Sequence, residues 1–229
     1  MPGCLGLDAM WQLYSDGRYA EVRKAIADRQ QAEPGWQPPD NLTGMLSLAE
    51  ARQRLLATPI IQGALRGRVS LPSYLAFLRE AYHHVRHTVP LLAAMKAHLP
   101  AHHRWLEPAL DEYIEEEAGH DEWILNDIAA AGGDAEAVRH GPAGVATEVM
   151  VAYAYDTVQR GNPLGFFGMV HVLEGTSVSL ALLAADRIQQ PLGLPDAAFS
   201  YLRSHGTLDL EHTDHFAQLM DQIEAPGDQ

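Results

Sequence analysis

His205-Gly-Thr-Leu-Asp209-Leu-Glu-His212 sets three metal-competent side chains at positions i, i+4 and i+7. At 3.6 residues per turn these fall within a wedge of about 60° on one helix face, so a helix points all three inward together. Apolar residues recur at the same three-and-four spacing through almost the whole sequence, and period-two runs bounded by turn signals are absent. The pattern predicts an all-α protein in which this segment is one helix of a bundle.

Working outward, helix breaks are expected where Gly and Pro cluster: Glu33-Pro34-Gly35 to Pro39, Pro100, Gly132-Gly133, Gly161-Asn162-Pro163, and Gln190 to Pro195. They cut the chain into about seven or eight helices, near 7–32, 46–66, 72–98, 102–131, 142–160 and 164–189, with a final pair near 196–205 and 207–223. Ser70-Leu71-Pro72-Ser73 announces a capped start with proline in the first turn. Residues 1–40 read as an N-terminal helix and linker and residues 41–229 as the main domain. The N-terminal helix is expected to pack on that body or on a partner subunit, the second arrangement making a homodimer.

Bulk properties narrow the function. The chain of 229 residues suits one substantial core. Thirty acidic against sixteen basic residues give a formal charge of −14, which repels a nucleic-acid backbone. The single cysteine, Cys4, leaves no intrachain disulfide or cysteine zinc site. The N-terminus has neither a basic leader nor an apolar core, and the apolar stretch near 166–185 is interrupted by His171 and Glu174, so a soluble, cytoplasmic protein with no membrane partner is expected.

Two further segments join the opening one. In Tyr113-Ile-Glu115-Glu116-Glu117-Ala-Gly-His120-Asp-Glu-Trp123, Glu117 and His120 form the i, i+3 pair that di-metal bundles use, with Glu116 as a substitute if the register shifts by one. Glu174 stands alone in an apolar helix, where an unpaired carboxylate is costly to bury, so it must bind metal or find a donor such as Thr176. Three histidines and three carboxylates suit iron, or manganese, better than structural zinc, and six donors imply two metals. A rival stripe, Glu80, His84 and His87, also occupies one helix face. It is read as supporting the ligands or contacting substrate, as is His171, three residues before Glu174. His102-His103 and the remaining histidines read as surface.

Taken together, Tyr-His-His-Val at 82–85, Glu-Glu-x-Gly-His-Asp-Glu-Trp ending at Trp123, a lone helical Glu and His-x3-Asp-x2-His resemble the haem-oxygenase-like di-iron oxidases and oxygenases. That superfamily of iron-containing redox enzymes shares its fold with thiaminase II and the pyrroloquinoline-quinone final-step oxidase. The likeness spans about Leu55 to Ile223. In ligand spacing it is closest to members that decarboxylate fatty acids to terminal alkenes, whose first Glu and His lie three apart. The p-aminobenzoate synthases place them seven apart.

The gap of roughly sixty residues between the family's first Glu and its lone helical Glu selects Glu117 over Glu80. The resemblance implies Glu117, His120, Glu174, His205, Asp209 and His212 as ligands of two Fe(II), with O2 as co-substrate and a peroxo intermediate. Glu117, Glu174 and Asp209 are then the carboxylates that adjust as the metals react. Thiaminase chemistry is disfavoured because Cys4 lies outside the matching region, and haem oxygenase chemistry because no histidine precedes His83.

The leading expectation is an O2-dependent non-haem di-iron oxidoreductase acting on a small carboxylate- or amine-bearing metabolite, such as a fatty acid or amino acid. A non-catalytic iron-binding bundle, or a cofactor-free oxidase or hydrolase on the same fold, is the alternative.

Overall fold

The computed structural model describes residues 4–204, 219, 220, 222 and 223. Among them every regular element is helical: α1 (Leu7–Ser15), α2 (Tyr19–Ala32), α3 (Asp40–Leu56), α4 (Pro59–Leu65), α5 (Leu71–Val85), α6 (Thr88–His98), α7 (Glu107–Glu117), α8 (His120–Ala130), α9 (Ala135–His140), α10 (Val145–Arg160) and α11 (Gly165–Leu192), with 3-10 turns at Ala101–Leu106 and Asp196–Ala198. Residues 200–204 begin another helix. The all-α class stands, but several of the expected helices are divided. Gly17, at φ 72°, divides the first expected helix. Gly119, at φ 89°, divides the fourth, and both occupy the left-handed region that glycine enters without steric cost. Ser70 caps α5 as expected, its hydroxyl accepting from the Ser73 N–H at 3.3 Å.

The chain divides into two compact units, Met1–Gln62 and Gly63–Gln229. The division falls later than the expected one at residue 40. The physical reason is that Leu42 and Leu46 of α3 are fully buried with Met10, Val22 and Ala25 of α1 and α2, so α3 belongs to the N-terminal core. Arg23 of α2 pairs with Glu50 of α3 at 2.5 Å in the same unit.

The second unit holds two apolar clusters. One is built on Tyr74, Leu78, Tyr82, Ile124, Ile128, Ala181, Ala185 and Phe199, from α5, α8, the later half of α11 and the chain near 199. The other is built on Leu92, Met95, Leu110, Val158, Phe167, Val170 and Ile223, from α6, α7, α10, the early half of α11 and the chain near 223. α11 serves both and bends by 49° between Gly165–Thr176 and Leu180–Leu192. Among the described residues no single helix is long and apolar enough to cross a membrane.

Candidate metal centre

The chain passes from one cluster to the other repeatedly, and metal-competent side chains lie at those passages. His87 falls between Val85 and Leu91, Glu117 and His120 between Ile114 and Ile124, and Glu174 between Val170 and Ala181. A further passage, from Val138 to Ala154, carries Thr147, a partner of Glu80. The segment from Leu202 of one cluster to Leu219 of the other carries His205, Asp209 and His212 in its sequence. Those three lie outside the described residues.

The expectation that Glu117 and His120 share one continuous helix is corrected. Glu117 ends α7 and His120 begins α8, with Ala118 extended and Gly119 in the left-handed region between them. The turn nevertheless brings the pair together: Glu117 Oε2 lies 3.2 Å from His120 Nδ1, with side chains only 9% and 5% exposed. Glu116 is exposed, which makes Glu117 the inward carboxylate of the run. The His120 ring stacks on Trp123 with centroids 4.1 Å apart, an arrangement that restricts ring rotation.

Glu174 is half-buried, and the Tyr113 hydroxyl donates to its Oε1. Tyr113 sits one turn before Glu117 on α7, so it turns a neighbouring carboxylate towards the helix that carries Glu117. In the sequence the only signal for this role of Tyr113 is its i, i+4 relation to Glu117. Among the described residues, no three His, Cys, Asp or Glu side chains converge as a metal site by themselves. Glu117, His120 and Glu174 nevertheless have donor chemistry that fits iron, two buried carboxylate and imidazole groups already paired and a third carboxylate beside the same helix.

The rival stripe has other employment. Glu80 Oε2 accepts from the Gly144 N–H at 2.9 Å and the Thr147 hydroxyl at 2.6 Å, while Oε1 accepts from Arg79 at 2.7 Å. It thus caps α10 from outside. Burial opposes its charge, but the bonds from Thr147, Arg79 and Gly144 outweigh burial and hold its carboxyl below the ordinary range. A depressed folded-state pKa supplies stability above the unfolded carboxylate range that is lost as pH falls through the folded value. Glu80→Gln is expected to lower unfolding stability by about 1 kcal/mol at neutral pH, and the gap to wild type should narrow below about pH 5. Urea midpoints measured across pH check this, and a constant gap would contradict it.

His84 is half-buried. Its neighbour His83, expected on the surface with the remaining histidines, is instead only 4% exposed, and among the described residues its Nε2 has no hydrogen-bond partner. His87 Nδ1 lies 3.2 Å from the Tyr155 hydroxyl of α10. Burial, with nearby Arg86, holds both His83 and His87 below the usual histidine range, although Glu80 opposes this at His83. His171 is exposed. His103, expected on the surface, is instead 4% exposed in the 3-10 turn before α7.

These observations define an all-helical fold with buried carboxylate and imidazole side chains at the passages between two apolar clusters. The family described as iron-containing redox enzymes matches residues 75–229, more than half of the chain, and the protein belongs to it. No curated protein matches the chain. Among solved structures, a domain of unknown function with a haem-oxygenase-like fold from Shewanella denitrificans OS217 superposes with a TM-score of 0.72 at 24% identity, covering 84% of this chain and 83% of that one. At that identity the likeness shows the fold.

Proposed function

We propose that the protein is an O2-dependent non-haem di-iron oxidase or oxygenase acting on a small carboxylate- or amine-bearing metabolite. The observation that carries the reading is the buried Glu117–His120 pair at 3.2 Å, with Glu174 held against the same helix by Tyr113. His205, Asp209 and His212, on the segment joining the two clusters, complete a set of six donors, enough for two ions. Bound iron would supply the electrons and the binding place for O2.

The chain's own residues do the rest. Tyr113 keeps Glu174 in one orientation, Trp123 keeps the His120 ring in plane, and Phe166, Phe167 and Val170, all below 6% exposed on the α11 segment that precedes Glu174, limit the access of water. Leu173, next to Glu174 on the same helix, is 39% exposed and takes no part in this apolar wall.

Anaerobic titration of the metal-free protein with Fe(II) should reach two ions per chain. Subsequent mixing with O2 and a panel of fatty and amino acids should give O2 uptake that depends on one of those substrates. Tight iron binding with no substrate-dependent O2 uptake would leave an iron-binding bundle. Turnover that survives chelation would leave a metal-independent oxidase or hydrolase.

A further inference from the structure

We infer that Asp127 is a positioning residue for the proposed metal centre, tying the start of the chain segment that carries His205, Asp209 and His212 to the helix that carries His120. Asp127 lies on α8 and is fully buried. Its Oδ1 accepts from the Ser200 N–H at 3.0 Å and from the Ser200 hydroxyl, and its Oδ2 accepts from the Tyr201 N–H at 2.9 Å. The Arg203 N–H bonds to the Phe199 carbonyl at 3.0 Å, so Phe199 occupies the cap position of the helix beginning at 200. Phenylalanine has no side-chain acceptor, so without Asp127 the part-buried N–H groups of Ser200 and Tyr201 would lose these bonds. A carboxylate 73 residues away in sequence does the capping instead. Its charge also suits the positive end of the helix dipole.

Seven residues is close to two helical turns, so Asp127 and His120 share a face of α8, about 10.5 Å apart along its axis. His205 follows Ser200 by five residues, which reach at most about 18 Å in any conformation. Fixing Ser200 and Tyr201 against Asp127 therefore limits how far His205, the first of the C-terminal donors in sequence, can lie from α8. Burial pushes the Asp127 carboxyl up, against the bonds from Ser200 and Tyr201, so the arrangement is maintained against a desolvation penalty. The position inference rests on the di-iron reading given above.

The test uses the full-length protein and three variants: Asp127→Asn, Ser200→Ala and Val158→Ala. The last removes a core side chain, 1% exposed, on α10 in the other cluster, and serves as a control for lost stability alone. Asparagine turns one acceptor into a donor facing an N–H, whereas Ser200→Ala removes one of three bonds and keeps the fold if Asp127→Asn does not.

Two readouts are taken: amide hydrogen exchange at residues 200–204 of the metal-free protein, and the Kd for Fe(II) measured without air. Asp127→Asn should speed exchange at 200–204 and weaken Fe(II) binding by about 10- to 100-fold. Ser200→Ala should do both more weakly, while Val158→Ala at a comparable unfolding midpoint should keep the wild-type Kd within about threefold. Unchanged exchange in both Asp127→Asn and Ser200→Ala overturns the tie itself. Altered exchange with wild-type Fe(II) affinity, or an equal loss in Val158→Ala, overturns the positioning role. If the wild type binds no Fe(II), or His205→Ala binds as the wild type does, the di-iron reading fails. The positioning role then falls with it, and the exchange result still shows whether the tie exists.

Discussion

His120→Ala is expected to lower Fe(II) bound per chain from two to one or fewer and to slow substrate-dependent O2 uptake by more than about 100-fold. Loss of an outer partner of a metal ligand typically weakens affinity or activity 10- to 100-fold, and removal of a donor itself should exceed that. The geometry supports a large effect because His120 is 4% exposed, stacked on Trp123 and 3.2 Å from Glu117, so its ring is held in place beside that carboxylate.

A thermodynamic readout separates this from simple misfolding. Ligand at about 100 times its Kd stabilises a folded protein by about 2.7 kcal/mol, so Fe(II) should raise the wild-type unfolding midpoint and leave that of the variant almost unmoved. Glu116→Ala, one residue before Glu117 but exposed, should behave as wild type in both assays. Two ions per chain and full O2 uptake in His120→Ala would remove it from the ligand set. Loss of function in Glu116→Ala would show that the run of carboxylates is used in a different register.

How much of this was legible beforehand depended on whether a feature was local or long-range. The helical class followed from periodicity, and the breaks at Gly132-Gly133, at Gly161-Asn162-Pro163 and before Pro195 coincide with the ends of α8, α10 and α11. Gly119 was harder. A single glycine within a charged helical pattern lowers stability by only about 1 kcal/mol relative to alanine, so composition does not distinguish a tolerated glycine from a break. The structure shows φ 89° there, and the i, i+3 spacing brings Glu117 and His120 together across a turn rather than along a helix.

Periodicity also selected His84 over His83 by extending one stripe from Glu80 to His87. α5 instead buries several faces, with Tyr82, His83 and Val85 all below 9% exposed, so a single stripe is a poor guide to which histidine points inward. Tyr113 to Glu174, Glu80 to Thr147 and Asp127 to Ser200 join residues 61, 67 and 73 positions apart. No local pattern encodes such pairings. They depend on how the helices stack, which a single sequence read by spacing leaves open.

Tyr74→Ala is expected to destabilise the protein by about 3–5 kcal/mol, a large part of the 5–15 kcal/mol that usually holds a native state together. Tyr74 is 1% exposed, its ring stacks on Phe199 with centroids 4.9 Å apart, and its hydroxyl donates to the Ala198 carbonyl at 2.6 Å. Truncation would therefore open a cavity beside Phe199 and orphan a buried carbonyl at the same time. Tyr74→Phe keeps the ring and should lose only about 1–2 kcal/mol for the unsatisfied carbonyl. Burial pushes the Tyr74 phenol well above its ordinary value, so the bond remains intact through neutral and mildly alkaline pH and the difference between Tyr74→Phe and wild type should not vary there. Denaturant unfolding of wild type, Tyr74→Phe, Tyr74→Ala, Phe199→Leu and the Tyr74→Ala/Phe199→Leu double variant measures both contributions. A coupling energy near zero would mean that the stacked rings act independently. Coupling of about 0.5–1.5 kcal/mol would tie α5 to the chain at 198–201, beside the residues that Asp127 caps. Loss of Tyr74 would then loosen the chain at 198–201 from its apolar contact with Phe199, and loss of Asp127 would release its backbone N–H groups.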